Sequence, residues 1–319
     1  MTLLKEHPRH SHAVVIGAGT MGADVAVVLA RGGAKVTVVD PGADKRAALV
    51  PHVHGALLAY QLESRASAVS AVAGMGDVAW ADVDLVIECI PEMLAAKQAV
   101  FAQLVTLAPA SVVLTSNSSS FPISAIAKGM ATQERMFGLH FFMPAHLVPL
   151  VEVVLGPQSD AAQAQRLCSY MRGCASVPVL VRKDKPGFLA NRLQHALARE
   201  AFSMIDEGVA TAEDVDAAVR FGFGFRYLAA GPVLQRDHAG LDVHCAAAAT
   251  MYPSLSNAVE PANALRTRVA AGQLGMKTGA GFYAWPEHLR TAERARYDRL
   301  LRQGLALLAD ELPPLDTTP

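Results

Sequence analysis

The chain has 319 residues, of which 52% are hydrophobic, enough for one large domain or two ordinary ones, each with its own core. Its 28 basic and 29 acidic side chains leave a net charge of −1, so the composition shows no electrostatic footprint for nucleic acid or an anionic membrane. Four cysteines without a C-x-x-C pair and a polar N-terminus without the apolar core of a signal peptide predict a cytoplasmic protein with reduced thiols.

The first predicted element is a buried strand at 13–16, followed by a G-x-G-x-x-G pattern at Gly17, Gly19 and Gly22 and a helix-like segment at 23–30. In such a unit the first glycine allows the tight turn, the second lets a pyrophosphate approach the backbone, and the third lets the helix pack against the sheet. The free N–H groups at the helix start bind phosphate. The pattern therefore predicts a dinucleotide site.

A second strand at 35–39 ends at Asp40. This acid follows Gly19 by about twenty residues, the spacing expected for a carboxylate that binds the adenosine ribose hydroxyls. Because a carboxylate repels a 2′-phosphate, Asp40 favours NAD over NADP.

A run of small polar residues at 116–120 directly follows the predicted strand at 111–115. Ligands bind at this carboxyl edge in open α/β sheets. Ser119 and Ser120 are equally compatible with capping a helix at 123–127, and both roles can hold at once. The remaining elements of this half are predicted as strands at 84–90, 137–142, 150–154 and 176–181 and helices at 43–73, 94–107 and 160–171.

His140 and Glu152 lie inside apolar strand-like runs. An unpartnered buried carboxylate is costly, so Glu152 needs a partner, and a nearby imidazole is the obvious one. A histidine in an apolar strand is more often a satisfied core residue. Here the downstream carboxylate and the preceding cofactor fold favour a catalytic pair.

The alternation of strands and helices stops near Lys183, where helices take over. We therefore predict an NAD-binding domain at 1–183 and a helical substrate and dimerisation domain at 184–319. The helix predicted at 188–207 is apolar on most sides and needs partners on most sides. Further helices are predicted at 211–219, 234–252, 262–271 and 287–310, with a glycine-rich loop at 221–227.

Six motifs occur in order along the chain: residues 17–22 with Asp40, 90–92 with Lys97, 116–119, 138–142 with 150–152, 183–192, and 276–283. As an ordered set they resemble the L-3-hydroxyacyl-CoA dehydrogenase family over nearly the whole chain. The resemblance implies a Rossmann-like doubly wound sheet domain of α/β class, followed by an all-helical C-terminal domain that forms a homodimer. It also implies NAD as cofactor, and we predict no metal site.

Carried over position by position, the resemblance makes His140 the general base and Glu152 its orienting partner. It places Ser119 and Asn191 at the substrate hydroxyl or carbonyl. This agrees with the chemistry, since oxidising a secondary alcohol needs a base that titrates near neutral pH and a hydride acceptor. The implied cofactor contacts are Gly17, Gly19, Thr20, Met21, Gly22, Asp40, Glu92, Lys97, Asn117 and Lys277.

Three features depart from the family pattern. Met143 stands where the family usually has asparagine, and the arm between Asp40 and Asp82 looks shorter and less basic than the CoA-binding arm. The segment 225–227 is similar to the branch containing λ-crystallin/L-gulonate 3-dehydrogenase and carnitine dehydrogenase, whose members act on small free carboxylates. Arg226 in that segment could bind a carboxylate bidentately, or it could be a surface arginine.

Three functions follow as hypotheses. The first is an NAD-dependent dehydrogenase of a small free 3-hydroxy carboxylate, and the second is an L-3-hydroxyacyl-CoA (3-hydroxybutyryl-CoA) dehydrogenase. The third is a catalytically retired binding or structural protein, against which the retention of Ser119, His140, Glu152 and Asn191 argues. The scarcity of basic residues in the arm separates the first from the second.

Overall fold

The computed structural model describes residues 4–317, and the chain divides into two compact units. One unit contains the chain up to Arg192 together with the segment from Asp310, and the other contains Leu193–Ala309. No helix in the described part of the chain combines the length and the hydropathy needed to cross a membrane.

The first unit is built on an eight-stranded sheet of order β3-β2-β1-β4-β5-β6-β7-β8. Neighbouring strands are parallel except β6 and β7, which are antiparallel. The apolar run of β1 is buried along its whole length, as is typical of parallel strands covered on both faces. The strands are β1 His12–Ile16, β2 Lys35–Val39, β3 Val69–Val72, β4 Leu85–Glu88, β5 Val113–Ser116, β6 Met136–Phe141, β7 Leu150–Leu155 and β8 Val177–Val181.

Helices cover both faces of this sheet, because successive side chains of each strand point in opposite directions. Val15 joins the core formed with α1, α2 and α5, whereas Val14 joins the core formed with α3 and α4. The predicted doubly wound, Rossmann-like α/β class is therefore confirmed. The helices are α1 Thr20–Arg31, α2 Ala43–Leu57, α3 Leu94–Leu107, α4 Ile123–Ile126 and α5 Ala161–Gly173.

The helix predicted at 43–73 is wrong in its second half. The helix α2 ends at Leu57, two 3₁₀ segments follow, and β3 then forms the edge of the sheet. Only the first of its four residues is buried. An edge strand of four residues has one pairing neighbour and is too short to show a clear period, so its sequence carries no clear strand signal.

The second unit is helical, which confirms the predicted all-helical C-terminal domain. Gly240, with φ of +95°, separates two helices where the sequence predicted a single one at 234–252. The segment expected as a loop at 221–227 instead forms a π-helical turn and the short helix α8. The C-terminal helices are α6 Ala190–Asp206, α7 Ala212–Ala218, α8 Gly224–Arg226, α9 Leu234–Ala239, α10 Leu241–Met251, α11 Asn263–Ala270 and α12 Glu287–Leu307.

Candidate active site

The antiparallel pairing of β6 and β7 places His140 directly opposite Glu152. The two side chains meet on one face of the sheet, and His140 Nδ1 lies 2.8 Å from Glu152 Oε2. Both residues are buried. A carboxylate can only accept hydrogen bonds, so Nδ1 carries the proton and the Nε2 atom of a neutral His140 is an acceptor.

Glu152 is held on its other side by the backbone. Its Oε1 atom accepts hydrogen bonds from the N–H groups of Leu189 at 2.9 Å and Ala190 at 2.8 Å. Burial is the strongest influence and raises the pKa of Glu152, but the bonds from His140 and the two amides outweigh it, so this pKa lies below its ordinary value. Glu152 is therefore a carboxylate at neutral pH, oriented by three donors.

Ser119 lies on the other side of the imidazole. Its hydroxyl is 3.1 Å from His140 Nε2, and the Asn191 amide donates to the Ser119 carbonyl oxygen at 3.4 Å. The rings of Phe142 and Phe188 lie 4.5 and 5.5 Å from the imidazole ring. The structure thus brings together all four residues predicted to be catalytic. Neither Ser119 nor Ser120 caps α4, whose N-cap residue is Pro122 and whose Ser124 N–H donates to Asp184 Oδ2 at 2.8 Å.

A cleft of about 470 Å³ opens beside these groups. Met143 is exposed at its wall, and Asn117 accepts a hydrogen bond from the Phe141 N–H at 2.9 Å. The cleft is lined by Met21, Cys89, Ile90, Glu92, Asn117, Ser119, His140, Phe141, Phe142, Met143 and Asn191.

The glycine-rich turn between β1 and α1 has the geometry that a dinucleotide needs. Gly17 has φ of +105°, and a Cβ at Gly22 would lie 1.8 Å from the Gly17 carbonyl oxygen, so neither tolerates a side chain. A Cβ at Gly19 would meet no described atom within 4 Å, so its backbone is open to a ligand. Thr20 and Met21 form the first turn of α1, where free N–H groups bind phosphate.

Asp40 lies at the end of β2, beside this turn. Its Oδ2 atom accepts from the Ala18 N–H and its Oδ1 atom from the Gly42 N–H, both at 2.8 Å. Burial raises its pKa, but these bonds and the nearby Lys45 outweigh that influence and lower it. Its Oδ2 atom also contacts Lys45 Nζ at 3.5 Å, whereas Oδ1 keeps a further lone pair for a donor. The residues present therefore fit the ribose hydroxyls of NAD.

Glu92 and Lys97 have different surroundings. Glu92 lines the cleft, and its Oε1 atom accepts from the hydroxyls of Ser118 and Ser120. Lys97 is buried, with its ammonium 2.8 Å from Glu88 Oε1 and 3.2 Å from Glu92 Oε2. In this structure Lys97 binds Glu92 and does not line the cleft. Its predicted contact with the cofactor stays a prediction.

Arg226 and Lys277 lie in the helical unit. Both are exposed, and neither makes a side-chain hydrogen bond or ion pair with any residue from 4 to 317. Their predicted contacts with substrate and cofactor stay predictions.

Two residues that contact the groups around the cleft were not predicted from the sequence. Glu88 is a fully buried carboxylate in an apolar strand. Because a buried charge needs partners, its place in the sequence predicts a polar contact there just as that of Glu152 does. Phe188, with φ of +50°, packs against the imidazole from beyond the last strand. No local pattern indicates that contact.

Comparisons with known proteins identify the family. The family described as "3-hydroxyacyl-CoA dehydrogenase, NAD binding domain" matches residues 12–185, and "3-hydroxyacyl-CoA dehydrogenase, C-terminal domain" matches residues 187–285. The 5-formyl-3-hydroxy-2-methylpyridine 4-carboxylate 5-dehydrogenase of Mesorhizobium japonicum is 33% identical over 290 residues, covering 88% of this chain and 94% of that protein. The 3-hydroxybutyryl-CoA dehydrogenase of Mycobacterium tuberculosis is 35% identical over 283 residues, covering 85% and 97%.

A solved structure extends the similarity to the fold. The crystal structure of a 5-formyl-3-hydroxy-2-methylpyridine 4-carboxylic acid 5-dehydrogenase, described as an NAD⁺-dependent dismutase, has a TM-score of 0.86 and 30% identity. It covers 93% of this chain and 98% of that chain. With the glycine-rich turn, Asp40 and the matched family domains, this makes NAD the cofactor. The chain belongs to the 3-hydroxyacyl-CoA dehydrogenase family and is an NAD-dependent oxidoreductase.

Proposed function

We propose that the protein interconverts the 3-hydroxy and 3-keto forms of a small free 3-hydroxy carboxylate. The observation that carries the reaction is the hydrogen-bonded series from Ser119 through His140 to Glu152 at the cleft. The cleft residues are suited to removing a hydroxyl proton, and bound NAD supplies the hydride acceptor.

The residues of the chain divide the work as follows. Glu152 fixes the proton on His140 Nδ1, which leaves Nε2 free to take the proton of a substrate hydroxyl. The same carboxylate then stabilises the imidazolium. The Ser119 hydroxyl and the Asn191 amide hold the substrate oxygen, and the rings of Phe142 and Phe188 limit the access of water to the imidazole.

For the cofactor we propose contacts at the residues the sequence singled out. The open backbone at Gly19 and the first turn of α1 at Thr20 and Met21 receive the pyrophosphate, and Asp40 receives the adenosine ribose. The remaining proposed contacts are Gly17, Gly22, Glu92, Asn117 and Lys277, with Lys97 acting through Glu92.

The scarcity of cations in the arm supports a free carboxylate substrate over a CoA thioester. Between residues 47 and 96 the one Lys or Arg is Arg65, and its guanidinium donates to the carbonyl oxygens of Arg31 and Asp316. Arg46, just before this stretch, donates to the carbonyls of Asp40 and Pro41. Both guanidinium groups thus bind carbonyl oxygens of their own unit, which disfavours a binding site for the 3′-phosphate of CoA.

Two further features support the same substrate class. The Mesorhizobium relative is named for a substrate with a free carboxylate. Arg226, in the segment similar to the L-gulonate 3-dehydrogenase and carnitine dehydrogenase branch, has an exposed guanidinium without an ion-pair partner among residues 4–317. We propose that it binds the substrate carboxylate.

The second candidate is an L-3-hydroxyacyl-CoA dehydrogenase, favoured by the 35% identity to a 3-hydroxybutyryl-CoA dehydrogenase. A direct test is NADH formation by the wild-type protein with carnitine, gulonate, 3-hydroxybutyrate and 3-hydroxybutyryl-CoA. Turnover of a free acid supports the first function. Turnover of the thioester alone overturns it in favour of the second.

We also propose a homodimer built through the helical domain. In Leu193–Ala309, Ala230 and Ala264 are the buried hydrophobic residues, while many large apolar side chains are exposed. A groove of about 360 Å³ along α6 and α7 is mostly apolar. It is lined by Gln194, Leu197, Ala198, Ala201, Phe202, Ile205, Ala212, Val215, Asp216, Val219, Arg220, Phe282 and Tyr283. Burying such surface against a second copy is favourable, and a monomeric mass by light scattering at micromolar concentration would contradict the dimer.

The domain division at residue 183 and the cytoplasmic location are proposals of the same kind. The compact units divide at Leu193, close to the proposed boundary. All four cysteines are free, which is in keeping with a reducing compartment.

A further inference from the structure

The segment 116–120 contains four serines, and their hydroxyls have different partners. Ser116 donates to Glu88 Oε2 at 2.6 Å, and Ser118 donates to Glu92 Oε1 at 2.6 Å. Ser120 donates to the same Glu92 oxygen through its N–H at 3.0 Å and its hydroxyl at 2.7 Å. Among the described contacts of these serines, the one with the His140 imidazole is made by Ser119.

The two carboxylates that hold these serines share one ammonium. Lys97 Nζ lies 2.8 Å from Glu88 Oε1 and 3.2 Å from Glu92 Oε2, and it also donates to the Ile90 carbonyl oxygen at 3.2 Å. The Ile90 N–H donates to Glu88 Oε1 at 2.7 Å. Glu88 and Lys97 are both buried, and a fully satisfied buried polar network makes its surroundings rigid.

Glu88 is not among the residues that line the cleft, so it can affect the reaction only through its neighbours. Two sets of contacts connect Glu88 to the residues next to Ser119. Ser116 accepts from the Ser118 N–H at 3.2 Å, and Lys97 connects Glu88 to Glu92, which binds the residues on either side of Ser119. Ser119 itself is exposed, and neither Glu88, Lys97 nor Glu92 makes a described hydrogen bond to its hydroxyl.

We propose that Glu88, Lys97 and Glu92 form a scaffold that positions Ser119 against His140, with Glu88 and Lys97 acting as positioning residues. The inference rests on the proposed function, because it assumes that the Ser119 hydroxyl holds the substrate oxygen beside the base. Burial raises the pKa of Glu92, but the bonds from Ser118 and Ser120 and the charge of Lys97 outweigh it and lower this pKa to about 2. Glu92 therefore stays an acceptor throughout the working pH range.

A double-mutant cycle tests the scaffold. Ser118→Ala leaves Ser119 in place but removes two hydrogen bonds, the one to Glu92 Oε1 and the one from the Phe121 N–H at 2.9 Å. Displacing a reacting group by about 1 Å can cost on the order of 10²-fold in rate. We expect Ser118→Ala to lower kcat by about 10- to 100-fold with a much smaller change in the NAD dissociation constant, because Glu92 keeps its contacts with Ser120 and Lys97. In a Ser119→Ala background the same substitution should lower kcat by no more than about twofold, the usual error of additivity.

Ser11→Ala is the matched control. Ser11 is also a buried serine, with its hydroxyl bonded to the Pro8 carbonyl and the Tyr170 hydroxyl, and it does not line the cleft. It should lower the free energy of unfolding, as Ser118→Ala does, without lowering kcat. If Ser118→Ala does not fold, Ser120→Ala at an exposed residue removes a single hydroxyl from Glu92 and enters the same cycle. Glu88→Gln, which removes the charge and keeps the shape, provides a third cycle.

The outcomes separate the scaffold from the proposed function. Normal turnover of Ser119→Ala would refute the role of Ser119 and with it the scaffold, while the proposed substrate class, which the wild-type assay tests, would stand. A slow Ser119→Ala protein in which the Ser118, Ser120 and Glu88 substitutions have multiplicative effects would overturn the scaffold alone. Loss of the effect of these substitutions in the Ser119→Ala background would support it.

Discussion

Glu152→Gln is the substitution whose effect follows most directly from the geometry. The two backbone N–H groups of Leu189 and Ala190 donate to one carboxylate oxygen, so the glutamine must place its carbonyl oxygen there. Its NH₂ group then faces His140 Nδ1, which lies 2.8 Å from the replaced oxygen. Nδ1 becomes an acceptor, and the imidazole proton moves to Nε2. The atom that should receive the substrate proton is then already protonated.

The magnitude has two parts. Losing a charge-assisted hydrogen bond to the imidazolium costs about 1.5–3 kcal/mol, which is roughly 10- to 150-fold in rate. Losing the proton acceptor removes the contribution of a general base to the rate, about 10²- to 10⁴-fold. Because both losses concern the same base, we expect kcat to fall by about 10²- to 10⁴-fold.

The assay is NADH formation at saturating substrate, with NAD binding by calorimetry and the free energy of unfolding as controls. Both controls should remain close to the wild type, because the substitution preserves shape and the two backbone bonds. Turnover within a fewfold of the wild type in a folded, NAD-binding Glu152→Gln protein would refute the assignment of tautomer and base.

Three further predictions concern residues around the site. Asp40→Ala should raise the KM for NAD and reduce the preference of the enzyme for NAD over NADP, since the repulsion of a 2′-phosphate is lost. Wild-type activity with both cofactors would contradict this. Arg226→Ala should raise the KM for a carboxylate substrate by roughly 10- to 150-fold, from a bond worth about 1.5–3 kcal/mol, and leave the KM for an acyl-CoA unchanged; equal effects on both would refute it. Burial raises the pKa of Asp24, but bonds from His146 and His52 outweigh it and lower this pKa from 3.8 to about 2. The stability from Asp24 is therefore present above about pH 4 and lost as the pH falls through 2. Asp24→Asn should lower the free energy of unfolding near pH 7 by about 2 kcal/mol and flatten its dependence between pH 4 and 2, as measured by urea titrations; an unchanged dependence would count against it.

The sequence predicted the elements whose signal is local. Apolar runs bounded by glycine or small polar residues identified β1, β2 and the strands that carry His140 and Glu152. The edge strand β3 was not found, because only its first residue is buried. The break at Gly240 was also missed, since a single glycine inside an apolar helical pattern does not by itself end a helix.

At the site, too, local features could be predicted from the sequence and features of the folded sheet could not. The partner of Glu152 could be inferred from the cost of burying a charge, but the pairing register that sets the two side chains opposite each other is a property of the folded sheet. The burial of Lys97 could not be inferred either. The family resemblance implied a contact between Lys97 and the cofactor but not that its ammonium is buried 2.8 Å from Glu88 Oε1.

The most direct test of the whole account is the turnover of His140→Ala. His140 is the one side chain that contacts both Glu152 and Ser119 in the described hydrogen bonds. If it is the base, kcat for the hydroxy acid should fall by roughly 10²- to 10⁴-fold, while NAD binds as tightly as to the wild type. Near-normal turnover would remove His140 from the mechanism and contradict the assignment of this cleft as the place where the proton is taken.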